Sequence, residues 1–290
     1  MVDASPRAVD YCQLRFSSES AIVVHQPHVV SPDDSASTLP HALQQLTGSC
    51  QLIVSELFGS FGDNEFLPEI VSAAVGLWAA QGCLTIPREW SCFVGPIAAP
   101  SLKGLHPHKT YVLQLPKDAV LLAPLQLLYT GHCAQQAPAG GRVHFKFSRK
   151  RPRPSSSVDG GSSEQTSQSD DRLVGCVGYF TAVLWPGVVI DTRQTAGHER
   201  SCFHWESFLF PAAETDSHDC GFTFELRRRG GQRDSVRGMW YEWRLQSDVA
   251  QPSESLEWHN SEGRAQMMWL AIDCVCADDA LADGPLAGAL

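Results

Sequence analysis

The sequence predicts two architectures in succession: a partial α/β unit over residues 1–88, then an all-β unit over residues 89–290. The apolar run Leu52-Ile53-Val54 reads as a buried parallel strand. Shortly after it, Ile70, Ala73, Ala74, Leu77 and Trp78 recur at the spacing of one helix face. From Glu89 onward the pattern changes to short β runs between Pro, Gly and Asp turns. About nine such runs at this spacing fit a sandwich or a barrel.

Composition narrows the function classes. The chain has 290 residues, 43% of them hydrophobic, enough for one large or two ordinary domains with real cores. A net charge of −10 does not suit a nucleic-acid backbone, but it attracts basic, arginine-rich protein segments. Ten cysteines form no CxxC pair and no zinc-like spacing; Cys274 and Cys276 come nearest. With no secretory signal, reduced intracellular thiols are expected, and no metal site. The longest apolar run, Ala119 to Leu128, is broken by Pro124 and falls short of a membrane span. A soluble chain without membrane or direct nucleic-acid contacts is expected.

In order along the chain, Val2-Asp3 reads as a strand ending in an acid, and Ser5-Pro6 starts a helix that Tyr11 to Phe16 completes. Ala21 to Val24 is the next strand. Leu39 to Leu46 reads as a short helix leading into the Leu52 strand. Ser55 and Glu56 stand at the C-terminal end of that strand, where open α/β sheets place ligands. A loop carrying Gly59, Gly62, Asp63 and Asn64 follows, then Glu65. Leu67 to Gln81 is predicted as an amphipathic helix stopped by Gly82, and Cys83 to Pro87 as the last strand of the α/β part. The β runs are Phe93–Ile97, Tyr111–Leu115, Ala119–Leu122, Val143–Phe147, Gly178–Leu184, Val188–Asp191, Phe203–Phe210, Gly221–Leu226 and Met239–Leu245. Residues 149–172 begin RKRPRP, continue through Ser, Gly and Gln, and end in Asp170-Asp171. Nearly without apolar residues, they predict a disordered insert, read as a solvated charged loop or a nuclear-import patch.

Glu56 and Glu65 lie nine positions apart, at either end of a glycine-containing loop. Two such acids can converge on one guanidinium, which is planar, stays protonated and presents its donors as a fork. Taken singly, Glu56 reads as a helix cap and Glu65 as a solvated loop acid. The whole string SELFGSFGDNE, residues 55–65, closely resembles the double-glutamate loop of protein arginine methyltransferases. In particular it resembles the protein arginine N-methyltransferase 5 family, the symmetric-dimethylating branch. The resemblance extends to Ile86-Pro87, GYFTAVLW at 178–185, FHWESFLFP at 203–211, WYEW at 240–243, His259-Asn260 and Gly263-Arg264. It covers nearly all of the chain except residues 149–172 and the tail after Leu270.

That resemblance implies a partial Rossmann-like methyltransferase domain over residues 1–88. It implies a C-terminal β-barrel for substrate binding and oligomerisation over residues 89–290, with the insert at 149–172. The implied activity is transfer of methyl groups from S-adenosylmethionine to peptidyl arginine, symmetric by resemblance to this branch. Glu56 and Glu65 would be catalytic, and Trp205 would line the arginine channel. His204 departs from the branch, which has Ser there; asymmetric-type enzymes have a His-Trp pair, so Phe203-His204-Trp205 is a hybrid that leaves product symmetry open. Asp3 would accept hydrogen bonds from the ribose, and Asp33 with Asp34 would meet the adenine. A competing register puts Pro27-His28 in that place, and Asp33-Asp34 also fits a plain surface turn. Arginine-rich substrates such as histones and RNA-binding proteins, a homo-oligomer, and residence in cytoplasm and nucleus are further implications. The family's GxGRG-type loop does not occur in the chain, and its dimerisation arm is reduced to LKGLHPHKT at 102–110. The alternative expectation is therefore a truncated, non-catalytic relative that acts as a binding or regulatory subunit.

Overall fold

The computed structural model describes residues 2–3, 24–25, 41–133, 135–146, 172–193, 205–212, 221–230, 239–248, 257–261 and 268–270. For 2–3, 24–25, 42 and 268–270 this means the backbone alone. The first part contains β1 (Val2–Asp3), β2 (Val24–His25), α1 (His41–Gln44), β3 (Cys50–Val54), α2 (Leu67–Trp78) and β4 (Ala79–Ile86). β1 and β2 pair in parallel, with Asp3 opposite His25, and β3 and β4 form a second parallel pair. The parallel β3–α2–β4 crossover was predicted; its boundaries differ, and β3, expected to be buried, leaves Leu52 and Val54 exposed. The predicted helix 67–81 ends at Trp78, and the strand expected from Cys83 already begins at Ala79. Gly82, expected to stop the helix, instead sits in β4 with φ +79°. It lies where the register against β3 slips between Cys50 and Leu52, a bulge that glycine accommodates. α2 buries Leu67, Val71, Ala73, Ala74 and Trp78. Among the described residues no helix is long and apolar enough to cross a membrane.

The β part holds β5 (Glu89–Ala98), β6 (Tyr111–Leu113), β7 (Val120–Leu121), β8 (Gln126–His132), β9 (Gly140–Lys146), β10 (Leu173–Trp185) and β11 (Val188–Asp191). It continues with β12 (Ser207–Pro211), β13 (Gly221–Gly230), β14 (Met239–Ser247) and β15 (Met268–Leu270). β8 and β15 have no counterpart in the sequence reading, and the predicted run 203–210 begins as a strand only at Ser207. The insert 149–172 lies outside the described residues except for its last member, Arg172. Eight strands form one sheet, in the order β15-β6-β12-β10-β5-β7, with β11 on β10 and β8 on β5. β14-β13-β9 form a second sheet.

The two sheets share one core. On the small sheet Val143, Phe145, Phe222, Phe224, Leu226, Tyr241, Trp243 and Leu245 all point inward, the period of two that a half-buried strand requires. They meet Trp90, Cys92, Val94, Cys176, Phe180, Phe208 and Phe210 of the large sheet. Strands β5, β10 and β12 are buried on both faces, because Val177, Tyr179 and Leu209 contribute to a second cluster with Ile97, Tyr111 and Leu113. Among the described residues the strands from β5 onward make two open sheets, and no ring of strands closes.

Candidate functional site

Residues 55–66 connect β3 to α2 and carry both predicted acids. Glu56 and Glu65 are exposed, whereas the middle of the loop, Phe58 to Asp63, is buried. Ser55 N–H donates to Ile86 O at 2.8 Å and ties the start of the loop to the end of β4. Phe61, with 0% exposure, inserts its ring among Phe208, Phe210, Tyr129 and Tyr241, at centroid distances of 5.2 to 6.2 Å. Its carbonyl accepts from Cys92 Sγ at 3.1 Å, and its N–H donates to Asn64 Oδ1 at 2.8 Å. That Asn64 side chain crosses the loop where Gly59 leaves room: a Cβ there would lie 2.1 Å from Asn64 Nδ2. Gly62 takes φ +84°, and Gly62 N–H closes a turn onto Gly59 O at 3.0 Å.

Beneath the loop, Asp63 is fully buried. Its Oδ1 accepts from Tyr129 OH at 3.1 Å and from Tyr241 OH. Its Oδ2 lies 3.3 Å from Arg228 Nε. Arg228 Nη2 also donates to Asp63 O at 3.2 Å and to Glu69 Oε2 at 2.9 Å, while Nη1 donates to Glu69 Oε1. Burial first raises the Asp63 carboxyl above its ordinary value, opposed by Arg228 and the two phenols and reinforced by Glu69. Burial works against the charge on Arg228, yet Asp63 and Glu69 hold it above its ordinary value. Burial, then the Asp63 charge, pushes Tyr129 and Tyr241 well up, so both remain protonated donors.

Trp205, expected to line the arginine channel, packs against this loop. Its Nε1 donates to Phe58 O at 2.8 Å, and its ring meets Phe58 edge-on at 6.1 Å and Phe180 at 5.5 Å. His204, Asp33 and Asp34 lie outside the described residues. Asp3 ends β1, and the described pairings do not join β1–β2 to β3–β4. A carboxylate at the C-terminal end of a parallel strand has the right chemistry for ribose hydroxyls.

Sequence reasoning did not single out Asp63, Glu69, Tyr129, Arg228 or Tyr241. A signal for two of them was present. Phe222, Phe224 and Leu226 set the inward phase of β13, and Arg228 continues it; Tyr241 is likewise in phase with Trp243 and Leu245. A cation at the apolar phase of a strand demands a buried partner.

The PRMT5 oligomerisation domain matches residues 91–268, and the PRMT5 arginine-N-methyltransferase family matches residues 28–85. The chain is 28% identical over 231 residues to protein arginine N-methyltransferase 5 of Oryza sativa subsp. indica, covering 76% of this chain and 32% of the relative. To that of Xenopus laevis it is 27% identical over 232 residues, covering 76% and 33%. The chain thus spans about a third of the length of these relatives. Among solved structures, it resembles the Trypanosoma brucei PRMT1 enzyme-prozyme heterotetrameric complex with AdoHcy, with a TM-score of 0.58 and 14% identity over 89% of this chain and 79% of that one. It also resembles Arabidopsis thaliana protein arginine methyltransferase 10, with a TM-score of 0.56 and 12% identity over 89% and 80%. At these identities the structural likeness speaks for the fold alone.

Proposed function

Because the chain belongs to the protein arginine N-methyltransferase 5 family, we propose that it holds the acceptor site for S-adenosylmethionine-dependent methylation of arginine in proteins. The observation that carries this reading is the loop 55–66. It exposes Glu56 and Glu65 at its two ends, while its interior is locked into the β core by Phe61 and Asp63.

Guanidinium nitrogens are poor nucleophiles because their lone pairs are shared across the cation. Glu56 and Glu65 would grip the guanidinium, orient one nitrogen and draw positive charge toward the others. That is positioning with preorganised electrostatics, and no covalent bond to the protein is required. S-adenosylmethionine supplies the methyl group as a sulfonium. Asp3 would hold the ribose and Asp33 with Asp34 the adenine; Trp205 and His204 would border the acceptor channel. Cation–π attraction suits an aromatic residue in that place.

The same reading divides the chain into a methyltransferase part, 1–88, and a β-barrel part, 89–290, that binds substrate and pairs copies of the chain. Symmetric dimethylarginine is the proposed product. Arginine-rich proteins such as histones and RNA-binding proteins are the proposed substrates, in cytoplasm and nucleus. The net charge of −10 supports a basic substrate.

The test is calorimetric titration of an arginine-glycine-rich peptide and of S-adenosylmethionine into the chain, with methylation followed by mass spectrometry. Wild type is expected to bind the arginine peptide and to discriminate against its lysine counterpart. Glu56→Gln and Glu65→Gln should each weaken peptide binding by about tenfold or more, as loss of a charged hydrogen bond implies. Peptide affinity unchanged in both variants would refute the reading. Binding without turnover would make the chain a binding subunit.

A further inference from the structure

Glu65 stands between two residues held by one guanidinium. Two positions before it, Asp63 meets Arg228 through its side chain at 3.3 Å and its main-chain carbonyl at 3.2 Å. Four positions after it, Glu69 takes both terminal nitrogens of the same Arg228 on its two oxygens, the Nη2 contact at 2.9 Å. Between these anchors Phe66 adopts φ 61° and ψ 22° at the start of α2. A bulky residue holds that left-handed conformation only where its surroundings impose it. On β14, Tyr241 lies opposite Arg228 of β13 in the strand register, and both reach Asp63.

We propose that Arg228 is a positioning residue of the arginine acceptor site: seconded by Tyr241, it fixes residues 63–69 and thereby sets where Glu65 presents its carboxylate. This rests on Glu56 and Glu65 being the guanidinium ligands. Energetics favours a geometric role over a purely stabilising one. Replacing a buried ion cluster by well-packed apolar side chains of similar volume is often neutral or stabilising, whereas the contacts of Arg228 fall on both sides of Glu65. An apolar residue at 228 would fill the space, but it would leave the turn through Glu65 without an anchor.

Hydrogen exchange of the full chain, read by mass spectrometry, tests this without any substrate. Arg228→Lys and Glu69→Gln keep charge or shape but break the two-sided grip. Both should speed exchange in peptides covering residues 56–69 by about tenfold, the effect of one charged hydrogen bond, while β5 and β10 exchange as in wild type. Leu209→Ala, in the separate cluster around Tyr111 and Val177, is the control for general destabilisation. Unchanged exchange at 56–69, or a rise shared with β5 and β10 as in Leu209→Ala, would overturn the proposal. Calorimetry with the arginine peptide adds the functional readout: Arg228→Lys should weaken binding although it removes no peptide-contacting group. Glu65→Gln should weaken binding by removing a peptide ligand, whatever its own effect on loop exchange. If Glu65→Gln binds peptide like wild type, the acceptor-site reading fails by itself, and the exchange data still decide whether Arg228 positions the loop.

Discussion

Phe61 occupies the volume that Gly178 leaves open: a Cβ at position 178 would lie 2.5 Å from two carbons of the Phe61 ring. Gly178 belongs to β10, at the centre of the large sheet, and Phe61 to the loop that carries Glu56 and Glu65. The loop is therefore seated by a missing side chain as much as by a present one. Gly178→Ala should displace Phe61 and destabilise the chain by about 1–3 kcal/mol, the range for overpacking a tight core. Urea unfolding measures it, and an unchanged midpoint would show that the ring relaxes elsewhere at no cost.

Removing Arg228 should be costlier. Arg228→Met would leave Asp63 buried with only its phenol donors, and breaking such a pair costs about 3–5 kcal/mol. The double variant Asp63→Asn with Arg228→Met removes both charges and should recover part of that loss. A double-mutant cycle in urea gives the coupling, and strictly additive effects would mean that the two side chains do not interact.

Acid should act on Asp63 and Asp191 with opposite signs. Burial raises Asp63 above its ordinary value, so the folded state takes up the proton before the unfolded chain does. Its contribution to stability therefore grows as pH falls through the raised value and is complete below the ordinary one, about 3.9. Hydrogen bonds from Arg193 hold Asp191 below its ordinary value, so its contribution is present above that value and is lost as pH falls through the lowered one. Comparison with Asp63→Asn should move in favour of wild type on acidification from about pH 7 to 4. Comparison with Asp191→Asn should move against wild type below about pH 4, and only slightly, since both Asp191 and Arg193 are partly exposed. Unfolding free energies measured across that range decide both signs.

What was legible in the sequence follows from what is local. The helical spacing of Ala73, Ala74 and Trp78 revealed α2 because burial imposes its period on neighbouring residues; the apolar run Leu52-Ile53-Val54 marked β3, although Leu52 and Val54 are exposed rather than buried. Gly82 misled, since a glycine in a bulged strand and a glycine ending a helix look alike in one dimension. β8 went unread because only its first three residues belong to the apolar stretch 119–128, where Pro124 separates it from β7. The ends of the loop 55–66 were visible as Glu56 and Glu65. Its foundation was not, because Asp63, Tyr129, Arg228 and Tyr241 meet only through long-range register: β13 with β14 at Arg228 and Tyr241, and β8 with β5 at Tyr129 and Cys92.

Trp205 carries the last prediction, because its position allows two roles to be separated. The proposed site makes its ring an aromatic wall for a cation, while its indole N–H holds Phe58 O, two residues beyond Glu56, at 2.8 Å. Trp205→Phe keeps an aromatic face and removes the donor. If the residue serves only as an aromatic wall, arginine-peptide affinity should fall modestly, by the difference between an indole and a phenyl face. If it anchors the first half of the loop, the Phe58 carbonyl is left without its donor at a cost of about 1–3 kcal/mol. Glu56 then loses its fixed position, and affinity should fall by about tenfold or more. Arg228 grips the second half of the loop in the same manner, so anchoring at both halves from the β part is the expected result. Calorimetry on Trp205→Phe beside Trp205→Ala settles it: equal losses in the two variants assign the effect to the N–H, and a loss confined to Trp205→Ala assigns it to the ring.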